Sequence, residues 1–301
     1  MENPYTQNNN SKLLDSFVCY ADILGFSEIS RDSIANGTGD QFLDQIRKAL
    51  NQAYTNIRNE MVEHRNIADF SLKVFTDNIV IGFPVQDFLS DKGEPELGVI
   101  FQILSKFQIN LAMEGFFVRG GIAYGKHYMD DDIVFGDALI ESHGLDSKGC
   151  PPRIVLSKKV INLVHEHIGF YNVKESSPQY YDLLQDPDGT YFLNYLKEAF
   201  AIFPDGDIFF EVLDAHKNKI INNLNLFINK PYIRQKYEWL GRYHNFICQE
   251  VANDFPLSDD PDQSPEYAMA SQSAQKTLAY LINAEAIPPS RIILPIEGER
   301  F

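Results

Sequence analysis

The 301-residue sequence has few cysteines and no long apolar run. Its three cysteines, Cys19, Cys150 and Cys248, lie far apart and form no CxxC or CxxH spacing. Their odd number and wide separation indicate reduced thiols in a cytosolic protein rather than a disulfide framework. No apolar run reaches the length of a membrane span, and the polar N-terminal segment has no apolar signal core. We therefore expect a soluble, cytoplasmic protein without a membrane partner.

Positive charge is scarce as well. The 26 Lys and Arg residues stand against 42 Asp and Glu residues, which gives a formal net charge of -16. Such an acidic chain argues against a nucleic-acid backbone as its main partner. It would handle a polyanionic substrate through a metal ion or a few placed cations. With 44% hydrophobic and 13% aromatic residues, the chain can still bury a sizeable core.

The order of the predicted elements indicates an α+β fold. Apolar alternation and helical periodicity predict a strand, a helix, a hairpin, a helix and a strand at residues 17–26, 41–57, 71–83, 96–115 and 116–129. This order is the ferredoxin-like βαββαβ pattern.

The pattern also suggests how the chain is divided. Residues 1–15 are predicted as a flexible leader, residues 16–200 as the domain built on the βαββαβ pattern, and residues 201–301 as a mainly helical C-terminal extension. Within the extension, a long helical stretch is predicted to break at Pro231.

Two aspartates are brought together by this topology. Asp22 ends the first strand in "YADILGF", and Asp77 lies at the tip of the hairpin "KVFTDNIVIGF". The first and third strands of such a sheet are adjacent and antiparallel, so these two ends meet. Two ionised carboxylates held together require a cation between them, and Mg²⁺ and Mn²⁺ prefer oxygen ligands. Each aspartate taken alone is equally well explained as a turn residue.

These segments resemble the motifs of class III nucleotidyl cyclases. "YADILGFSEIS" and "KVFTDNIVIGF" are similar to the two metal motifs, "VRGGIAYG" to the Arg-x-Gly strand, and "VFGDALIESHGLDSKGCPPRIVLS" to the helix and strand that follow. The resemblance implies a class III cyclase catalytic domain in which the ribose 3′-OH attacks the α-phosphate and pyrophosphate leaves. It also implies a head-to-tail homodimer, with each site built from both chains.

The resemblance implies a role for each matching residue. Two divalent cations, Mn²⁺ or Mg²⁺, would be held by Asp22, Asp77 and the backbone carbonyl of Ile23. The implied substrate contacts are the backbone N–H groups of Gly25, Phe26 and Ser27 with phosphates, Lys73 with the base, and Arg119 with the triphosphate. Tyr54, on the inward face of the first helix, is a candidate for stacking on the base, and a core tyrosine is the alternative.

The half of the site that reads the base departs from the family pattern. Ile133 stands where purine cyclases carry an Asp or a similar polar residue. Ile140 and Gly144 replace an Asn and an Arg that contact the ribose and the transition state. The Gly before the second metal Asp is Thr76, and "LQDPDG" lacks the usual Lys. Ile133 argues against adenine and guanine recognition, and a purine cyclase is the third hypothesis.

These changes leave the cation that stabilises the transition state unassigned. The candidates are Arg153, Lys148 and His143, in that order, and each is equally well a structural or surface residue. A narrower group shows the same changes: "RGGIAYG", "FGDALIESH" and "PPRIVLS" resemble the bacterial pyrimidine cyclases of the Pycsar antiphage systems.

The narrower resemblance implies a uridylate cyclase that converts UTP to 3′,5′-cyclic UMP, which a separate effector then reads during antiviral defence. A cytidylate cyclase that makes cyclic CMP is the near alternative. A catalytically silent, nucleotide-binding sensor is the alternative from another class.

Overall fold

The computed structural model describes residues 3–7, 10–63, 70–75, 77–85, 91–145, 151–200, 207–258 and 263–283. The chain divides into two compact units, with the division after Asn194. None of the helices in these ranges combines the length and the apolar character that a bilayer crossing needs.

The first unit contains a mixed sheet and the helices that cover it. Its strands are β1 Thr6–Gln7, β2 Asn10–Ser11, β3 Leu14–Ile23, β4 Ser71–Phe75, β5 Asn78–Pro84, β6 Val118–Met129, β7 Val134–Gly136, β8 Ile154–Leu156, β9 Leu183–Gln185 and β10 Tyr191–Leu193. Its helices are α1 Phe26–Ala35, α2 Gly39–Glu63, α3 Glu94–Glu114, α4 Asp137–Leu145, α5 Lys158–Ile168 and α6 Pro178–Asp182.

The strand order confirms the ferredoxin-like prediction. The sheet runs β4-β5-β3-β6-β8-β10-β9, and β7 pairs with β6. The first strand of the pattern, β3, is antiparallel to β5 on one side and to β6 on the other. Strand β8 adds to β6 in parallel, and β10 continues the sheet in antiparallel orientation. The fold is therefore α+β, as expected.

The two faces of the sheet carry different chemistry. We call the face with Phe17, Cys19 and Ala21 the inner face, because these residues join the main core with α2 and α3. The opposite, outer face carries Tyr20 and Asp22, since successive side chains of a strand alternate. Helix α4 covers part of the outer face and contacts β6 and β3.

Two glycines of "VRGGIAYG" allow α4 to approach β6 closely. A Cβ atom at Gly121 would lie 2.5 Å from Leu145 Cβ, and one at Gly125 would lie 2.9 Å from Asp137 Oδ1. At Gly121 a side chain would also meet the Ser142 carbonyl oxygen at 2.6 Å and would push the helix off the strand. At Gly125, by contrast, the Asp137 carboxylate would have to turn away. This part of the motif therefore determines packing on the outer face.

The predicted loose leader is wrong for its described residues. Tyr5 is fully buried, its hydroxyl donates to Ser16 Oγ at 3.1 Å, and its ring meets that of His127 edge-on at 5.3 Å. Asn3 Nδ2 donates to the carbonyl of Met129 at 2.8 Å. The sequence pattern missed this segment because a single aromatic residue, rather than a periodic run, anchors it.

Other elements follow their predictions with shifted ends. The predicted helix at 96–115 is α3, and it ends at Gly115, which has φ 93°. The predicted hairpin at 71–83 is formed by β4 and β5. Helix α1 was not predicted, because its apolar residues are few and none of its residues is fully buried, although Phe26 packs against the main core.

The second unit is helical over its described residues, and the predicted bounds of the extension stay a prediction. Its helices are α7 Phe210–Leu226, α8 Pro231–Asp254 and α9 Pro265–Lys276, so the predicted break at Pro231 is confirmed. Short 3₁₀ segments lie at Tyr195–Phe200 and Thr277–Tyr280.

A directed chain of hydrogen bonds crosses the core of this second unit. The imidazole of His244 donates from Nε2 to the carbonyl of Tyr280 at 3.0 Å, so its Nδ1 is an acceptor in the neutral ring. His216 therefore donates from Nδ1 to His244 Nδ1 at 3.0 Å, and its Nε2 accepts from the Tyr195 hydroxyl at 2.8 Å. Burial lowers the pKa of both histidines, which keeps the chain neutral.

Candidate functional site

Asp22 lies between two strands that each place a polar residue opposite it. On one side it pairs with Asn78 of β5, and on the other with Arg119 of β6. Residues directly opposite in neighbouring strands share a face of the sheet. Asp22, Asn78 and Arg119 therefore form one polar group on the outer face.

Arg119 binds Asp22 through both of its carboxylate oxygens. Its Nε lies 2.7 Å from Oδ1 and its Nη2 lies 2.8 Å from Oδ2. The two side chains are only 19% and 13% exposed. This fork-to-fork geometry is the strong form of an arginine–carboxylate pair. Because little water reaches the two side chains, solvent screening weakens the pair only slightly.

Asp77 directly precedes the residue that pairs with Asp22. Asn78 Nδ2 donates to Asp77 Oδ1 at 3.2 Å, and the Asn78 carbonyl oxygen Oδ1 accepts from the Tyr20 hydroxyl. The predicted meeting of the first strand end with the hairpin tip is thus confirmed by the register.

Tyr20 and Asn78 were missed in the sequence. Tyr20 is two residues before Asp22 and so shares its face, while Asn78 is opposite Asp22. His143 of α4 packs edge-on against Tyr20, with ring centroids 4.7 Å apart. Strand alternation alone could have identified Tyr20, whereas Asn78 needs the register between β3 and β5.

The donor set fits a hard divalent cation. Two carboxylates and the backbone carbonyl of Ile23, the last residue of β3, are oxygen ligands of the kind that Mg²⁺ and Mn²⁺ prefer. The guanidinium of Arg119 already places a cation on Asp22. Within the described ranges, no three His, Cys, Asp or Glu residues gather as a metal site. Substrate phosphates and water would therefore have to complete the coordination.

The predicted phosphate turn is a helix start. Gly25 has φ 74°, and α1 begins at Phe26 with no side-chain cap on its N-terminal N–H groups. Uncapped N–H groups at a helix start favour anions. Ser27 is exposed, and Phe26 packs against Phe42 at a centroid distance of 6.0 Å. The phosphate-binding role of Gly25, Phe26 and Ser27 stays a prediction.

Lys73 is bound to the turn that follows β6. Its ammonium donates to the carbonyls of Asp131 and Asp130 at 2.7 and 3.2 Å and lies 5.4 Å from the ring centre of Phe75. Lys73 is opposite Val80 of β5, and Val80 is opposite Tyr20 of β3. Because Tyr20 lies on the outer face, Lys73 does too. A contact with the base would have to replace these carbonyl bonds.

Tyr54 packs against the main core and stacks on Phe107, with an interplanar angle of 17°. Burial is the main cause that raises the pKa of Tyr54, and the negative charge of Asp77 raises it further. This position agrees with the core alternative and places the ring within electrostatic reach of Asp77. Its proposed stacking on a base stays a prediction.

Arg153 lies in a different environment from the carboxylate pair. It is buried and forms ion pairs with Asp186 and, at 2.7 Å, with Asp188. Burial would raise the pKa of Asp188, but hydrogen bonds from Arg153 and Thr190 lower it below its usual value. A guanidinium that already holds two carboxylates is poorly placed to receive a phosphate.

The remaining candidates give little support for a catalytic cation. Lys148 lies outside the described residues. His143 is exposed on α4 and contacts Tyr20. Ile133 and Ile140, which stand at family positions for substrate contacts, are exposed apolar side chains.

No protein-family model matches the chain, and no curated protein matches it. Solved structures do match. The adenylyl cyclase CyaB from P. aeruginosa is 15% identical, with a TM-score of 0.38, over 60% of this chain and 94% of that one. One structure of a bacterial light-regulated adenylyl cyclase is 15% identical, with a TM-score of 0.33, and covers 50% of this chain and 79% of its own. Another is 12% identical, with a TM-score of 0.38, and covers 75% and 58%. The fold assignment rests on strand order and register rather than on these values.

Proposed function

We propose that the protein is a metal-dependent nucleotidyl cyclase. The observation that carries this proposal is the register that brings Asp22 and Asp77 to one end of a ferredoxin-like sheet. Arg119 and the uncapped start of α1 supply positive potential beside this carboxylate pair. An acidic protein that handles a triphosphate needs such a concentration of cations.

Each residue of this group has a part in the proposed reaction. Asp22, Asp77 and the Ile23 carbonyl hold two divalent ions, which supply charge neutralisation and an acidified 3′-hydroxyl when bound. The N–H groups from Gly25 to Ser27 orient the phosphates in line with the attacking oxygen. Arg119 binds the triphosphate and stabilises the negative charge that leaves with pyrophosphate.

The substrate we propose is UTP, with cyclic UMP as the product and a separate effector as its reader in antiphage defence in the cytoplasm. The support is the resemblance to Pycsar cyclases and the apolar character of the region that reads purines in other cyclases. Ile133 cannot make the directed hydrogen bond that selects adenine or guanine. CTP is the alternative pyrimidine.

A homodimer is part of this proposal. Three exposed apolar side chains lie on β7, on α4 and on the turn before them: Ile133, Phe135 and Ile140 are 56%, 61% and 74% exposed. Exposed apolar patches favour association with a partner surface. The resemblance to class III cyclases implies a head-to-tail homodimer in which the second chain contributes the base and ribose side of the site.

The test is product identification. The purified protein is incubated with each of ATP, GTP, CTP and UTP in Mn²⁺ or Mg²⁺, and the products are identified by mass. We expect a cyclic pyrimidine monophosphate that Asp22→Asn and Asp77→Asn abolish while the fold is retained. Asp44→Asn, a change of an exposed aspartate on α2, is the matched control. Full activity in either site variant would overturn the metal assignment.

A silent nucleotide sensor is the second candidate. The ion pair between Arg119 and Asp22 favours it, because this pair neutralises the carboxylate without a metal. Nucleotide binding without any product from the four triphosphates would support the sensor.

A further inference from the structure

Arg119 and a metal ion would use the same atoms. Both carboxylate oxygens of Asp22 accept hydrogen bonds from the guanidinium. A divalent ion bound to Asp22 would approach one of these oxygens to roughly 2.0–2.1 Å. It would then face a positive guanidinium at close range in a site with little access to water.

The backbone holds Arg119 at this position. A Cβ atom at Gly120 would lie 2.2 Å from the carbonyl oxygen of Tyr20, so the absence of a side chain there lets β6 lie against β3. The register pairs Arg119 directly with Asp22. Only the side chain of Arg119 can therefore yield to a metal ion.

We propose that Arg119 occupies Asp22 in the metal-free protein and moves to the triphosphate when the metal–nucleotide complex enters. This inference rests on the proposed cyclase function. A free divalent ion must displace the guanidinium from Asp22 without offering it a new anionic partner, so the ion binds weakly. A nucleotide brings three phosphates that accept the displaced guanidinium, so metal and nucleotide bind cooperatively.

The pair also has a role before substrate arrives. The register brings Asp77 to within one residue of the position opposite Asp22, and two unpaired carboxylates at this end of the sheet would repel each other. Arg119 removes most of the charge of one of them. The metal-free protein therefore keeps its site assembled without a bound ion.

The test measures Mn²⁺ binding without turnover, by calorimetry and by the electron paramagnetic resonance of free Mn²⁺. Wild type, Arg119→Met and Arg119→Lys are compared with and without 3′-deoxy-UTP, which lacks the attacking hydroxyl. Without nucleotide, we expect Arg119→Met to bind Mn²⁺ at least tenfold more tightly than wild type. The gain in Mn²⁺ affinity that the nucleotide gives wild type should shrink in this variant.

Two controls separate the possible explanations. Arg58→Met removes an exposed arginine from α2 and measures the effect of one lost charge on Mn²⁺ affinity. Asp22→Asn should abolish the Mn²⁺ binding that wild type shows in the presence of 3′-deoxy-UTP. If Asp22→Asn leaves Mn²⁺ binding unchanged, the proposed metal site itself is wrong.

A different result would refute only the competition between Arg119 and the metal ion for Asp22. If Asp22→Asn abolishes Mn²⁺ binding but Arg119→Met binds Mn²⁺ no more tightly than Arg58→Met, the cyclase proposal stands and the competition does not exist. If Arg119→Met fails to fold, Arg119→Lys decides. Its single ammonium cannot hold both oxygens, so Mn²⁺ affinity should rise above wild type; unchanged affinity would refute the competition.

Discussion

Replacing Arg153 by Met should destabilise the protein more than it impairs catalysis. The guanidinium is 4% exposed, and its partner Asp186 is 10% exposed. Breaking a buried pair by removing one partner costs roughly 3–5 kcal/mol, because a charge is left buried without compensation. Asp188 is 56% exposed, so its loss adds at most about 1 kcal/mol.

This magnitude is measurable as a change in melting temperature. For a unit of this size, 1 kcal/mol corresponds to about 2–4 °C, so we expect Arg153→Met to melt about 6–24 °C lower than wild type. Calorimetry without nucleotide is the assay. Arg47→Met on the exposed side of α2 is the control and should change little.

A second variant tests the cause. Arg153→Met combined with Asp186→Leu removes both buried charges and should recover most of the lost stability, because an apolar pair of similar volume can replace an ion pair. The reasoning is refuted if Arg153→Met melts within about 2 °C of wild type. Loss of cyclase activity at unchanged stability would instead make Arg153 the missing transition-state cation.

Three further predictions test other parts of the chain. The low pKa values of His216 and His244, the latter about 4, mean that the unfolded chain binds more protons below pH 6.5. The free energy of unfolding of the second unit, measured in urea, should fall by about 1.4 kcal/mol per pH unit, or roughly 3 kcal/mol between pH 6.5 and about 4. Over this range His244 binds a proton in the unfolded chain and stays neutral in the folded one. A free energy of unfolding that does not change with pH would contradict the neutral hydrogen-bond chain. Gly121→Val should displace α4 and lower the free energy of unfolding by at least about 2 kcal/mol, whereas wild-type stability would show that the helix can retreat freely. Tyr5→Ala should cost about 3 kcal/mol in denaturant unfolding, and no change would return the N-terminal segment to the status of a loose leader.

The fold was predictable where the pattern of apolar residues had a period. Helices α2 and α3 and strands β3, β5 and β6 each bury one face or both, so the spacing of their apolar residues predicts them. Helix α1 has only a short stripe of partly buried residues, half of them serines, and Tyr5 is one aromatic residue in a polar segment. A segment that is held by one buried residue has no repeating pattern of apolar residues in its sequence.

The candidate site was predictable only to the level of strand ends. Topology placed Asp22 near Asp77, because antiparallel neighbours bring the end of one strand to the start of the other. The contact between Arg119 and Asp22 needs the register as well, since a slip of one residue would turn Arg119 to the inner face. The separation of 97 residues between the two says nothing about that register.

The register, in turn, is determined by the glycines of "VRGGIAYG". Gly120 lies against the backbone of β3, and Gly121 and Gly125 lie under α4. A shifted β6 would bring neighbours that have side chains, such as Arg119 or Ile122, to these close approaches, so the three glycines favour the observed register. The same short motif therefore positions Arg119 on Asp22 and seats α4 on the outer face. A polar contact that a sequence pattern could not predict is thus a consequence of backbone packing that the motif encodes.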